Sequence, residues 1–340
     1  MKKILAFLII FSALFLTSCF DSKEVDNMVY VVAIGTDKED DGQYSYTFQY
    51  ALPLNISKGS SGDGEPLQCE TVTDTNIYSA IDSMSRIISK EIILSHLKLI
   101  AFSQDIAFDG LEKFKPEILS DVEILPSACV VITQGTAEDY LKNVSSPLEL
   151  NPAKYYNFAF DEKNSPFIEA FYLKSFFEKS DYVIPLVYAQ DKKADTDGGI
   201  VFKDHKQISY LTADEIPYFK LLSGTLNSFT IDLTGQGFSA VVTQQKKPFI
   251  KVDKDNLNVY ITLYLTKQIH GTPSKDADNM INNKIRTKCL NIIKKAQSKN
   301  ADILNIKTAF RPHFLTLDQF ETFSFYEKYP EIYFDIKVKS

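Results

Sequence analysis

Residues 97–133, LKLIAFSQDIAFDGLEKFKPEILSDVEILPSACVVIT, contain two apolar runs on either side of a helical stretch. The runs Leu97–Phe102 and Ala128–Thr133 are short and apolar, as buried strands are. Between them, the residues around Phe108–Leu119 have a helical pattern. A strand, a helix and a second strand in this order predict one α/β layer structure in this half of the chain.

The residues before this stretch extend the same layer. Apolar side chains recur at three- and four-residue steps over Ile77–Ile88, which predicts a helix. Val29–Gly35 and Tyr44–Leu52 have the character of two strands and predict a hairpin. The acidic run Asp37–Asp41 between them lacks the twelve-residue ligand spacing of a calcium loop, so we interpret it as a solvated turn.

The residues after this stretch change in character twice. Aromatic side chains crowd residues 155–172, where they either form a partner surface or fill a core. The segment Gln190–Gly199 is charged, small and turn-rich, and we interpret it as a domain boundary.

Beyond residue 199 the pattern again predicts strands and helices. A strand–turn–strand over Gly199–Leu211 precedes a capping box at Thr212–Glu215. Apolar residues from Met280 to Ala296 predict a long helix, and alternation over Ile332–Val338 predicts a final strand. The expected fold is therefore α+β, or mixed α/β, in several domains with mixed sheets flanked by helices. The predicted domains are residues 19–193 and 197–340.

The first residues predict a lipoprotein signal peptide over residues 1–18. Lys2 and Lys3 precede an apolar run, Ile4–Leu16, which is shorter than the about 20 residues of a membrane-spanning helix. The ending Leu16-Thr17-Ser18-Cys19 resembles a bacterial lipobox. Cys19 is therefore the predicted lipid attachment site, where a diacylglycerol and fatty acyl chains such as palmitate would hold the mature protein on a membrane.

Composition excludes several other functions. Hydrophobic residues make up 44% of the chain, with 25 Phe and 18 Tyr, which is enough for folded cores. The net charge is −7, or −9 without Lys2 and Lys3 (−7 − 2), so we expect no nucleic-acid binding and no attraction to anionic lipid. No catalytic, metal-binding or cofactor-binding pattern is present in the sequence, and we predict that the protein is not an enzyme.

The remaining cysteines carry no recognisable spacing. Cys129 lies in an apolar run and is expected to be a small buried side chain. A Cys69–Cys289 disulfide is left open by the sequence.

Several short motifs, in order along the chain, resemble one family: the lipoprotein C subunits of nutrient germinant receptors in spore-forming bacteria, of the Ger(x)C type. Phe20 stands where that family commonly has tryptophan, and Ser95 stands where it has glycine. The similar segments are Cys19–Glu24, Ala33–Lys38, Ser95–Ile100, Gly199–Asp204, Leu211–Glu215 and Phe325–Pro330.

This resemblance implies a subunit without catalytic activity. It would be anchored by lipid on the outer face of the spore inner membrane, beside two polytopic membrane subunits of the same receptor, and the receptor would trigger germination in response to small nutrients. The alternative is a solute-binding lipoprotein of a membrane transporter. Such proteins usually have two similar lobes, and the sequence contains no internal repeat.

Overall fold

The computed structural model describes residues 27–51, 67–119, 124–144, 152–160, 167–168 and 170–339. The predicted signal peptide and Cys19 lie outside these ranges. Within them, strands and helices follow each other in both halves of the chain. The strands are β1 Met28–Lys38, β2 Tyr44–Ala51, β3 Leu67–Asp74, β4 Glu91–Ile93, β5 Leu99–Ser103, β6 Cys129–Thr133, β7 Tyr182–Gln190, β8 Lys193–Lys203, β9 Lys206–Thr212, β10 Ser228–Leu233, β11 Phe238–Asp253, β12 Asn258–Gly271 and β13 Tyr333–Lys339.

The helices are mostly short and lie between the strands. A few residues of 3-10 helix extend or connect them, such as Arg311–His313. The α-helices are α1 Ile77–Ile88, α2 Gln104–Asp109, α3 Lys115–Leu119, α4 Ala137–Asn143, α5 Pro152–Ala159, α6 Leu173–Glu178, α7 Ile216–Ser223, α8 Ala277–Ser298, α9 Ile306–Phe310, α10 Leu317–Thr322 and α11 Phe325–Lys328.

The larger sheet is mixed, in the order β3-β2-β1-β5-β6-β7-β8-β9, with β4 beside the start of β1. The predicted hairpin is present, because β1 pairs antiparallel with β2. β5, β6 and β7 run parallel to β1, so the amino ends of these four strands lie at one end of the sheet. We call this the amino end of the large sheet. The expected α+β fold with mixed sheets is confirmed.

The smaller sheet has the order β10-β11-β12-β13, and its last pair is parallel. The buried face of α8 carries the apolar residues that the sequence predicted, including Ile281, Ile285 and Ile292, and they pack into a core with strands of this sheet. This helix is the longest in the described part of the chain. No helix within that part is long and apolar enough to cross a membrane.

The strand β8 contributes to both main cores. Val183 on β7, Val201 on β8 and Leu211 on β9 pack in the same core as α8 and the smaller sheet. Ile200 and Phe202, which alternate with Val201 along β8, pack in the core of the larger sheet instead. Successive side chains of a strand point to opposite faces, so one strand serves both cores.

Two sequence interpretations differ from the structure in detail. The single helical stretch expected near Phe108–Leu119 is divided into α2, a 3-10 turn and α3, and Gly110 at φ +105° ends the first helix. The segment Gln190–Gly199, which has the composition of a loop, forms the tight turn between β7 and β8 and the first part of β8. Pairing with β7 holds these polar residues in a strand. A domain boundary at 193–197 stays a prediction.

Candidate functional site

The segment Gly35–Lys38 fixes α4 and α2 against β1. A Cβ atom on Gly35 would lie 3.0 Å from Cβ of Ala137, so glycine permits α4 to approach this closely. Asp37 accepts hydrogen bonds from the backbone N–H groups of Ala137 at 2.6 Å and Glu138 at 2.9 Å. Lys38 forms a 2.7 Å ion pair with Asp109 at the end of α2. These residues therefore have a structural role.

Asp37 corrects the interpretation of Asp37–Asp41 as a solvated turn. Its side chain is buried, with 6% exposure, whereas Asp40 and Asp41 are exposed. Burial raises the pKa of the Asp37 carboxyl above its ordinary value, and the two backbone N–H groups of α4 act in the opposite direction. A carboxylate at a helix amino terminus is favourable because unpaired N–H groups point at it.

The aromatic residues 155–172 mainly fill a core. Tyr156, Phe160 and Phe171 are buried, and the Tyr156 hydroxyl donates to Oε1 of Gln49 at 2.7 Å. Phe167 is exposed. The sequence left open whether these aromatic residues form a partner surface or fill a core. Tyr156, Phe160 and Phe171 fill a core.

The three described cysteines lie in different surroundings. Cys69 on β3 contacts the carbonyl oxygen of Leu141 through its Sγ atom, at 3.7 Å. Cys289 lies on the buried face of α8, and burial raises the pKa of its thiol. Cys129 is buried, as expected. The Cys69–Cys289 disulfide that the sequence left open is not formed.

Two buried carboxylates meet where the large sheet contacts the C-terminal helices. Oδ2 of Asp181, just before β7, accepts from the backbone N–H of Asp302 at 2.8 Å. Asp302 in turn accepts from the N–H groups of Ile306 at 2.8 Å and Lys307 at 2.7 Å, at the start of α9. Burial is the main reason why the pKa of Asp302 rises to about 6, and the Asp181 carboxylate adds to the rise. The pair joins two parts of the molecule 121 residues apart in sequence.

We expect Asp302 to make stability depend on pH. Its pKa is 3.8 in its ordinary state and about 6 in the fold, so the folded protein binds this proton more tightly than the unfolded chain. The free energy of unfolding should therefore decrease by about 2 kcal/mol as the pH rises from 4 to 6. Urea unfolding of the protein and of Asp302→Asn, which does not titrate there, measures this contribution as the pH-dependent difference between them. A difference that stays constant with pH would contradict it.

His205 forms a second polar group beside Asp181. Its Nε2 lies 2.6 Å from Nζ of Lys115, and its Nδ1 lies 2.8 Å from the hydroxyl of Tyr182. Burial, followed by the Lys115 charge, lowers the pKa of the imidazole, although Glu112 at 3.0 Å acts against this shift. The neutral ring therefore accepts from Lys115 through Nε2 and ties the β8–β9 turn to α3.

An open cleft lies next to these buried groups. Its volume is about 410 Å³, and its lining contains aromatic and charged side chains. Nζ of Lys307 lies 5.1 Å from the ring centroid of Tyr326, and Nζ of Lys203 lies 5.6 Å from it on the side of β8. The lining residues are Lys307, Leu317, Phe320, Glu321, Ser324, Phe325, Tyr326 and Glu327.

The buried polar groups hold parts of the fold together. Asp302 and His205 both spend their hydrogen-bonding capacity on other protein groups. Within the described ranges, no three metal-ligating side chains gather into a cluster. Sequence reasoning missed Asp181, His205 and Asp302 because they lie far apart in the chain and form no motif. The cleft was missed because its rings have ordinary helical spacing.

Comparison with known proteins identifies the family. A family model for the spore germination protein N-terminal domain matches residues 21–187. A second, described as spore germination B3/GerAC like, C-terminal, matches residues 197–340. The chain belongs to the GerAC-like family of spore germination proteins. Both descriptions name germination and neither names a reaction.

Relatives of this GerAC-like protein carry the same description. Spore germination protein A3 of Bacillus subtilis (strain 168) is 26% identical over 274 residues, which cover 77% of this chain and 72% of the relative. Spore germination protein GerQC of Bacillus cereus is 21% identical over 344 residues, covering 92% of this chain and 91% of the relative. The match to spore germination protein KC of Bacillus subtilis (strain 168) is 25% identical and spans 47% of this chain and 40% of that protein.

The fold of this GerAC-like protein is also found in a solved structure. The crystal structure of the GerBC protein aligns with a TM-score of 0.58 over 90% of this chain and 95% of that chain, at 18% identity. The similarity shows that the two chains share a fold along nearly their whole length.

Proposed function

We propose that the protein is the lipid-anchored C-type subunit of a nutrient germinant receptor. Cys19 carries the lipid, and the folded residues lie on the outer face of the spore inner membrane beside two polytopic membrane subunits. The receptor triggers germination in response to small nutrients. The observation that carries the proposal is the match of two germination family models over residues 21–187 and 197–340.

The sequence before the first strand supports the anchor. Leu16-Thr17-Ser18-Cys19 directly follows the apolar run and precedes β1 by only a few polar residues. A lipid at this position would hold the amino end of the large sheet near the bilayer. The two-domain division at residues 193–197 is part of the same proposal.

The test is replacement of Cys19 by alanine in the full chain. We expect mature protein from membranes to begin at Cys19 with a diacylglycerol thioether and fatty acyl chains, measured by mass spectrometry. In Cys19→Ala this mass addition should be lost and the leader retained. Germination in response to nutrients should fall, because without its lipid the variant is no longer held at the membrane beside the other receptor subunits.

Cys69→Ala is the matched control, because it also removes one thiol but should leave the mass addition and germination unchanged. An intact leader and an unmodified Cys19 in the native protein would overturn the anchor. Isolation of the native protein from spore membranes without two polytopic partners would overturn the receptor assignment. Tight binding of an amino acid or sugar to the protein alone, measured by calorimetry, would favour a solute-binding lipoprotein.

A further inference from the structure

The smaller sheet has one face packed in the core with α8 and a second face that points away from it. Along β12, Val259, Ile261 and Leu263 are buried, and the residues that alternate with them point to the second face. Pairing of β12 with β11 and β13 continues this face across three strands. We call the outward side chains of residues 246–253, 258–264 and 333–339 the outer face.

Aromatic side chains occupy successive positions across the outer face. Phe249 on β11 is 56% exposed and pairs with Thr262, which lies between Tyr260 and Tyr264 on β12. Tyr333 on β13 is 59% exposed and lies beside the start of the same strand. Exposed apolar side chains that are gathered in one place often mark an interaction site.

The outer face is positively charged although the whole protein is acidic. Four lysines and two aspartates point outward, which is a formal charge of +2 (4 − 2). These residues are Lys246, Lys251, Lys337, Lys339, Asp253 and Asp335. Arg286 of α8 forms a 3.0 Å ion pair with Asp335 and so adds to the positive charge.

The charges that adjoin the outer face do not reverse its sign. They lie between the outward residues of β11, in the turn between β11 and β12, and just before β13. They are Lys247, Lys254, Asp255 and Glu331, which sum to zero (2 − 2). An aromatic face with this charge suits an acidic protein surface that also exposes an apolar side chain.

An acidic cleft of this kind lies on the same chain, at the carboxyl end of β1. Its volume is about 400 Å³, and it is lined by Lys38, Glu39, Asp40, Asp105, Phe108 and Asp109. The formal charge of this lining is −3 (1 − 4). Phe108 is 60% exposed among these carboxylates.

Other charged residues at this end leave the cleft acidic. Lys206 of the β8–β9 turn lies beside Gly110, and the start of α4 lies beside Asp37. The charges brought near the cleft in this way, together with those of the β1–β2 turn and the 3-10 turn after α2, sum to zero (3 − 3). They are Asp41, Lys113, Glu138, Asp139, Lys142 and Lys206.

We propose that the outer face of one copy of this chain docks on the acidic cleft of a second copy. The lysines of the outer face pair with the carboxylates of the cleft, and Phe249 and Tyr333 approach Phe108. The two surfaces differ, so each contact leaves an outer face and an acidic cleft free, and further copies extend a row or close a ring.

The size of the outer face predicts a weak contact. Three strands and four residues along each strand span about 10 Å in each direction between Cα atoms. A surface of this size belongs with small, transient interfaces. The contact does not require the lipid at Cys19, so this inference and the proposed anchor can fail independently.

The test is cross-linking between copies that differ in isotope. Full-length protein at natural isotope abundance is mixed in detergent with protein labelled with heavy nitrogen, and a carbodiimide joins lysine amines to adjacent carboxylates. We expect peptides that join Lys251 or Lys337 to Asp40 or Asp105, with one peptide from each isotope. Their yield should fall by at least about tenfold at 1 M salt, where the screening length is about 3 Å.

Reversal of charge on each surface makes the test specific. Lys251→Glu with Lys337→Glu makes the outer face negative, and Asp40→Lys with Asp105→Lys makes the cleft positive. Each double variant alone should lose the mixed-isotope peptides by at least about tenfold, because its two surfaces then carry the same sign. Mixing the two double variants should restore cross-links between these surfaces, which unfolding of either variant cannot explain.

Lys294→Glu with Lys299→Glu is the matched control. Both residues are exposed, and α8 lies on the side of the smaller sheet opposite to the outer face. This variant has the same change in net charge and should keep the mixed-isotope peptides. The Lys38–Asp109 ion pair, at 2.7 Å, provides a standard that is joined within one copy.

Three results would overturn docking on a second copy. One is that all peptides joining the two surfaces contain a single isotope. Another is that the mixture of double variants fails to restore the cross-links. The third is that the outer face is cross-linked only when another spore membrane protein is present, which would assign it to that protein.

Discussion

Replacing Gly198 by alanine is expected to lower the free energy of unfolding by more than about 4 kcal/mol. Gly198 has a φ of +112°, and a Cβ atom there would lie 2.0 Å from the carbonyl oxygen of Leu211 and 2.8 Å from the carbonyl carbon of Thr212. These are backbone atoms of β9, so no side chain can rotate to relieve the overlap. The residue also lies beside the bulge between β7 and β8.

The cost is large because β8 serves two cores. Moving the strand to accommodate a methyl group would disturb Val201 on one face and Ile200 and Phe202 on the other. Close packing leaves little room for such a shift. Urea unfolding followed by circular dichroism measures the loss. Failure of the variant to accumulate as folded protein would be the extreme form of the same result.

Gly135→Ala is the matched control for this substitution. Gly135 also has a positive φ, +88°, but an added Cβ would meet no atom within 4 Å. Its cost should be limited to backbone strain of about 1–2 kcal/mol. If the two variants were equally destabilised, the overlap with β9 would not be the cause.

Replacing Asp37 by alanine should lower the free energy of unfolding by about 3–4 kcal/mol. The change leaves the N–H groups of Ala137 and Glu138 without their acceptor at the buried start of α4. Since α4 packs on β1 through Gly35, loss of this cap should loosen the helix as well. Hydrogen exchange of the α4 amides, together with urea unfolding, locates and measures the effect.

Two further variants separate the cap from charge. Asp40→Ala removes an exposed carboxylate from the same turn and should change stability by less than about 0.5 kcal/mol. Asp37→Asn keeps one acceptor oxygen and should fall between the other two. A loss in Asp40→Ala as large as that in Asp37→Ala would show that general charge, and not the cap, is responsible.

Much of the fold could be predicted because its signals are local. The period of apolar residues located α1 and α8, and alternation located β2 and β13. The polar first half of β8 could not be located in this way, because it is held in a strand by hydrogen bonds to β7. Such pairing depends on residues distant in sequence, which composition does not reveal.

The functional groups were less predictable than the fold. Cys19 was identified because a lipobox is a short continuous pattern. The aspartate of Gly35–Lys38 was included in the family resemblance, but its role as a cap became apparent only when α4 was seen 100 residues later in the chain. Asp302 offers no signal in the sequence, because the rise of its pKa comes from burial among residues distant in the chain.

The shared strand β8 has an evolutionary consequence. Consider a recombination between two related genes at the codon for residue 197. The core residues of β8, which follow this position, would then come from one parent, and β7 would come from the other. The side chains on both faces of β8 would then have to pack beside a β7 from a different protein and, at the same time, in two hydrophobic cores. The halves of such proteins should therefore diverge together, as a co-inherited pair.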